Sequence, residues 1–254
     1  MRLILRPLQI LYSLYAILVF VIIMFFALPL VTLALLLPAK MRGNTIYIIC
    51  TGWADLTMFC WGIWHTNIHE VPFDKSHPVI FVFNHISYID VPILLKALRK
   101  YRIRVLGKAE MAKIPVFGFI YKSAVVMVQR EDPAHRARSV ETLKAALKEN
   151  ISVVIAPEGT FNTTHRPLKE FYDGAFRIAI ETNTPIKPVL FLDAYDRLHY
   201  NSIFTFTPGR SRAVFLDEVQ VTGYTSGNIK QLKQEVYSVM ETALVKYNAS
   251  WIKK

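Results

Sequence analysis

The chain has 254 residues, enough for one sizeable domain with a buried core plus an appendage, and 53% are apolar, an excess concentrated near the N-terminus. Its formal net charge is +11, of which +9 falls beyond residue 70; such a surface suits anionic headgroups, nucleic acid or an acidic protein partner, or is simply a solvated basic face. Cys50 and Cys60, the two cysteines, lie ten apart in an apolar stretch, which excludes a disulfide framework and a zinc site and points to a reducing compartment.

From Leu8 to Leu37 no residue is charged. A bilayer core needs roughly 20 apolar residues in helix, whereas the apolar core of a secretory signal runs to roughly 7–15. No polar face is visible, so the run reads as a membrane segment bent near Pro29. A second run, TIYIICTGWADLTMFCWGIW (45–64), is long enough to span but holds Asp55. An unpaired aspartate at the bilayer centre costs about 2.5–3.5 kcal/mol or more, so this run is expected to lie in the interface or to pack against the first helix. Arg2 and Arg6 precede the first run and Lys40 and Arg42 follow it, so the positive-inside rule returns a tie. A hairpin or half-inserted pair puts both basic ends on the cytoplasmic side. Residues 1–70 thus read as membrane-anchoring helices. His65 and His69 close this region in WHTNIHE, at the i, i+4 spacing of a helical metal pair, but no third ligand is evident and no metal is expected.

From Pro78 the pattern alternates. VIFVF is a dense β-type run, followed by a helical stretch near VPILLKALRK. RIRVLGK reads as a strand, IPVFGF as a connection that is a candidate wall for an acyl tunnel, and AVVMVQR as a strand. Asp132 and Pro133 open a helix; ISVVIAP is another continuous apolar strand. FYDGAFRIAIETN is helical, TPIKPVLFLDAY is a strand, RAVFLDEVQV is a strand near an edge, and IKQLKQEVYSVMETALVKY is an amphipathic helix. Strands apolar on both faces, alternating with helices, predict an α/β fold over 71–254: a largely parallel central sheet flanked by helices. Ligands of such sheets sit at the carboxyl ends of the strands, where NHISYID (84–90) and APEGT both fall.

NHISYID has two readings on its own spacing. Asp90 can be the N-cap of the helix opened by Val91 and Pro92, or Ser87 can cap with Asp90 three residues in, a variant of the capping box. His85 can be a hydrogen-bonded residue at a strand end. Alternatively, His85 and Asp90 meet through the strand-to-helix turn as a catalytic pair.

NHISYID resembles the N-H-x-S-x-x-D block of the glycerolipid acyltransferase family, best known for 1-acylglycerol-3-phosphate (lysophosphatidic acid) acyltransferases. KAEMAKIPVFG (108–118), with Arg130 beyond it, resembles the family's second block; PEGT (157–160) matches the core of the third; TPIKPV (184–189) is similar to the fourth. Four ordered blocks over about residues 79 to 190 make the resemblance specific. It implies that His85 acts as general base on an acceptor hydroxyl attacking an acyl thioester, with Asp90 fixing the imidazole tautomer. It implies that Glu158 and Thr160 position the acceptor, that backbone N–H groups near a helix start or of the turn at Glu158, Gly159 and Thr160 are candidate oxyanion donors, and that Lys108 and Arg130 offer charge to a phosphate. No cofactor is implied: acyl-CoA or acyl-carrier protein is the co-substrate and a lysolipid the acceptor, on the cytoplasmic face of a membrane. Without a G-x-S-x-G elbow, a serine-nucleophile hydrolase is disfavoured. No nucleic-acid motif is present, and a membrane-surface role accounts for the basicity. One departure stands out: the family's third block continues with an arginine of the acceptor-phosphate site, where this chain has Phe161 and Asn162; Arg166 and Lys169 follow in the same loop. That departure leaves another lysolipid, such as an amino-acid-containing one, open as acceptor; the alternative to an enzyme is a non-catalytic protein that binds anionic membranes.

Overall fold

The computed structural model of the chain describes residues 2–72 and 74–253, with side chains from residue 6 onward except Lys40. Of the basic residues flanking the first apolar run, the Arg2 and Lys40 side chains therefore lie outside those described. Helix α1 (Arg2–Ala34) runs unbroken through Pro7 and Pro29, and α2 (Ala39–Cys60) folds back on it. The pair is held by specific contacts. Trp61 donates its Nε1–H to the Ala16 carbonyl (2.9 Å), and Phe20 packs edge-on against Trp53 (5.4 Å). Asp55, the residue that argued against a spanning second helix, faces the domain and pairs with Lys96 (3.2 Å) and Arg99 (2.9 Å).

Strand β1 (Ile63–His69) follows directly, then β2 (Ile80–Phe83), α3 (Asp90–Ala97) and β3 (Ile103–Lys108). A 3₁₀ turn (Ala109–Lys113) leads to α4 (Phe117–Ala124), β4 (Val125–Val128), α5 (Pro133–Lys148) and β5 (Ser152–Ile155). After α6 (Gly174–Thr182), β6 (Ile186–Phe191), the single turn α7 (Ala194–Arg197) and β7 (Gly209–Phe215), helix α8 (Ile229–Lys246) packs on the domain. Among the described residues the strands form one seven-stranded sheet, ordered β1-β7-β6-β2-β5-β3-β4. The five strands from β6 to β4 are parallel, and β7 runs antiparallel to β6 with β1 parallel to β7. The sheet is thus mostly parallel and flanked by helices, as the alternation predicted. β7 lies one strand in from the edge.

Strands β2, β5 and β6 are buried along their whole length, which is why their sequences are continuous apolar runs rather than alternating ones. Asp132 caps α5, its Oδ1 accepting from Ala134 N–H (2.9 Å) and His135 N–H (3.1 Å), with Pro133 opening the helix.

The helical reading of WHTNIHE is corrected. The sheet begins at Ile63, and His65 and His69 lie on β1. Four residues along a strand separate them by about 13 Å, too far to share a metal ion. His65 instead bonds Ser211 (3.1 Å) and Asn67 (2.7 Å), and His69 stacks on Phe215.

Candidate active site

Parallel strands end on the same rim, so the segments after β2, β3, β4 and β5 converge there. β2 delivers His85 and β5 delivers Glu158; Lys108 ends β3 and Arg130 follows β4. The end of β2 is fixed by Asn84, which is buried: its Oδ1 accepts from the Phe191 N–H (2.8 Å) and its Nδ2 donates to the Phe191 carbonyl (3.2 Å). This clamp continues the β2–β6 ladder one residue beyond the last backbone pair, Phe83 with Val189.

Asp90 bonds the turn's backbone and His85 at the same time. Asp90 Oδ2 accepts from the Ile86 N–H (2.8 Å) and the Ser87 N–H (2.9 Å), and His85 Nδ1 lies 2.8 Å from the same oxygen. The bond to Ser87 N–H is the return half of a capping box. The forward half is absent, because Ser87 Oγ accepts from Ile89 N–H and donates to the Leu198 carbonyl. An oxygen already accepting two backbone N–H groups is an acceptor for the third partner as well, so His85 Nδ1 carries the proton and Nε2 keeps its lone pair. Nε2 has no hydrogen-bond partner among the described residues, and the side chain is 24% exposed, whereas Asp90 is buried. A base held at one nitrogen and open at the other can take a proton from a bound hydroxyl.

Aromatic rings fix the imidazole in its plane. Phe161 meets it edge-on at 4.6 Å, Phe83 at 5.8 Å, and Tyr88 packs edge-on against Phe161 at 4.8 Å. The backbone of His85 is gripped as firmly: its N–H donates to Glu158 Oε1 (2.9 Å), and its carbonyl accepts from Asn162 N–H (2.7 Å). Glu158 Oε2 accepts from the Lys169 N–H (2.8 Å). Burial pushes the Glu158 carboxyl up to about 8, although those two backbone bonds pull the other way.

The turn that follows differs from expectation in two respects. Glu158 faces inward as a bracket between two loops rather than outward to an acceptor. The N–H groups of Gly159 and Thr160 are spent within the turn, on the carbonyls of Ala156 (3.0 Å) and Glu158 (2.8 Å). Gly159 has φ +69°, and a Cβ there would press on Arg130 and Tyr172 at 2.8 Å. Arg130 lies over Tyr172 and donates to the Gly159 carbonyl (2.8 Å); Lys169 Nζ donates to Thr160 Oγ1 (2.6 Å). Lys108 completes a cationic rim: burial and then the Arg130 charge hold its ammonium below the usual lysine range. His85, Asp90, Glu158, Gly159, Thr160 and Arg130 are thereby joined by direct contacts, and Lys108 by its field.

A model of the acyltransferase family matches residues 63–192, just over half of the chain. The chain belongs to the acyltransferase family. This acyltransferase is 28% identical over 177 residues to the 1-acyl-sn-glycerol-3-phosphate acyltransferase of Haemophilus influenzae, covering 68% of the chain and 72% of that relative. It is 28% identical over 169 residues to the protein of that name from Cocos nucifera (65% and 52%) and 26% over 176 residues to the human protein named 1-acyl-sn-glycerol-3-phosphate acyltransferase beta (67% and 61%). The chain therefore spans less than two thirds of the coconut and human relatives. Its fold is similar along the full length of both chains to the crystal structure of the 1-acyl-sn-glycerophosphate acyltransferase of Thermotoga maritima, with a TM-score of 0.76 at 21% identity.

Asn84, Asn162 and the ring pair Phe161–Tyr88 are the parts of the acyltransferase site that sequence reasoning did not assign. Asn84 and Tyr88 lie inside the first block, and Asn162 is part of the departure from the third. The fourth block lies in β6, where Lys187 is buried against Glu218 (3.3 Å) and the strand end offers Phe191 to Asn84.

Proposed function

We propose that this acyltransferase moves a fatty acyl group from an acyl thioester, acyl-CoA or acyl-carrier protein, to the free hydroxyl of a lysolipid. The foremost acceptor is 1-acylglycerol-3-phosphate, giving phosphatidic acid in phospholipid biosynthesis. The observation that carries the reading is the His85 imidazole, bound to Asp90 through Nδ1 and open at Nε2 beside a cationic rim. Nε2 takes the hydroxyl proton as the oxygen attacks the thioester carbonyl; the C–S bond breaks, and the imidazolium returns the proton to the departing thiolate. Asp90 stabilises the imidazolium, and Lys108 and Arg130 supply charge for the acceptor's phosphate.

We further propose that the reaction takes place at the cytoplasmic face of a membrane. Residues Arg6–Ala34 form a helix long and apolar enough to cross one, and most of its apolar stretch is not buried, unlike a helix enclosed in a soluble core. Phe161, where the family resemblance puts a phosphate-binding arginine, favours including uncharged and amino-acid lysolipids as acceptors.

The test is mass spectrometry of products from a lysolipid panel, each offered with acyl-CoA and with acyl-carrier protein. Transfer to 1-acylglycerol-3-phosphate is expected. His85→Ala is expected to abolish it, and Asp90→Asn to lower kcat by roughly three to four orders of magnitude through the wrong tautomer. Full turnover by His85→Ala would refute the mechanism.

A further inference from the structure

Phe161, packed against His85 and Tyr88, carries no charge, and the next cations along its loop are Arg166 and Lys169. Asn162 builds that loop. It is 2% exposed; its Oδ1 accepts from Thr164 N–H (3.0 Å) and Oγ1 (2.7 Å), and its Nδ2 donates to the Arg166 carbonyl (2.8 Å). The loop and α8 form the walls of a groove of about 430 Å³, with Arg166 and Lys169 on one side and Lys233, Gln234 and Tyr237 on the other. Glu170 also lines it, and Lys233 lies 3.0 Å from Asp173. Arg166 and Lys169 form no ion pair among the described residues. The groove therefore holds two cations outside any ion pair among the described residues, a third paired with Asp173, and one carboxylate, Glu170, in its lining. Lys169 ties it to the chemistry, since its N–H rests on the same carboxylate that holds the N–H of His85.

We propose that this groove binds the phosphate monoester of a substrate, Arg166 meeting it through the guanidinium fork and Lys169 and Lys233 as point charges. The inference rests on the acyltransferase function proposed above. A phosphate monoester is present both on the lysophosphatidate acceptor and at the 3′ position of coenzyme A, so the two sources are separated by experiment.

The full-length protein in detergent is compared with Arg166→Ala, Lys233→Ala and the double variant. Lys169 is left intact because its side chain also holds Thr160. KM is measured for 1-acylglycerol-3-phosphate, for the phosphate-free 1-acylglycerol and for acyl-CoA. Glycerol 3-phosphate and adenosine 3′,5′-bisphosphate are titrated separately by calorimetry, which needs no turnover. The double variant is expected to raise KM for one phosphate-bearing substrate about tenfold or more at nearly unchanged kcat, and to weaken the matching probe in parallel. A rise confined to 1-acylglycerol-3-phosphate, with the phosphate-free lipid unaffected, assigns the groove to the acceptor; a rise confined to acyl-CoA assigns it to the donor. KM values and probe affinities within twofold of wild type in the double variant overturn the proposal, as does failure of the wild type to bind either probe. If the wild type acylates no lysolipid, the function above fails, and the probe titrations alone decide the groove: weaker binding by the double variant supports it, parity overturns it.

Discussion

Glu158 holds the proposed base, His85, in place from a buried position. Its two oxygens hold the N–H groups of His85 and Lys169, residues from segments 73 and 11 positions away. Glutamine keeps one accepting oxygen and turns an NH₂ against the other N–H, so Glu158→Gln is expected to lower kcat about tenfold or more with a smaller change in KM. The same side chain makes stability depend on pH. An ordinary glutamate loses its proton near 4.5, whereas in the folded chain burial moves that loss to about 8. Between these values the native state binds more protons than the unfolded state. The contribution of the protonated acid is therefore complete below the lower value and is lost as pH rises toward the upper one. Urea midpoints of the wild type should fall across pH 5 to 8, and Glu158→Gln should flatten that fall; equal slopes would show that the buried carboxyl is ionised throughout.

At the scale of elements, the strand ends are joined by side chains where the backbone ladder stops. Asn84→Ala leaves both Phe191 backbone groups buried without their partner, an expected loss of about 2–4 kcal/mol in chemical denaturation. Activity should fall further than stability alone explains, because His85 is the next residue. The elements themselves were legible wherever the signal was local: VIFVF and ISVVIAP as buried strands, Asp132–Pro133 as a helix start, NHISYID as a strand-to-helix turn. β1 was not, because WHTNIH alternates weakly and obtains its hydrogen bonds from β7, about 146 residues later. The bracket of Glu158 and the loop built by Asn162 were equally hidden. Apart from the Thr164 hydroxyl, their partners are backbone groups, which carry no residue identity to read, and nothing in PEGT says which way its glutamate points.

Across the whole molecule, α1 is both the most apolar element and a structural part of the domain. Its outward residues, Leu11, Leu18, Phe26 and Leu33 among them, are more than half exposed and form the face that a bilayer would cover. Its other face is docked by polar contacts that a mere anchor has no use for. Gln9 donates to the Thr205 carbonyl (3.1 Å), Ser13 Oγ accepts from the Phe206 N–H (3.1 Å), and Ala16 receives the Trp61 indole. Trp61 in turn packs on Phe206 at 4.6 Å, and Phe117, at the start of α4, lies 6.4 Å from Phe20 of α1. Removing residues 1–37 would strip Trp61 of its hydrogen-bond acceptor and take Phe20 away from the Trp53 and Trp61 rings. The truncated protein is therefore expected to aggregate or to melt well below the full chain in the same detergent, rather than to become a soluble enzyme. Ser13→Ala is the milder form of the same test. It leaves the apolar face of α1 intact but orphans the Phe206 N–H, so it should lower stability by about 1–3 kcal/mol while flotation with vesicles is unchanged. A truncated chain that remained folded, soluble and active would mean that α1 serves as an anchor alone.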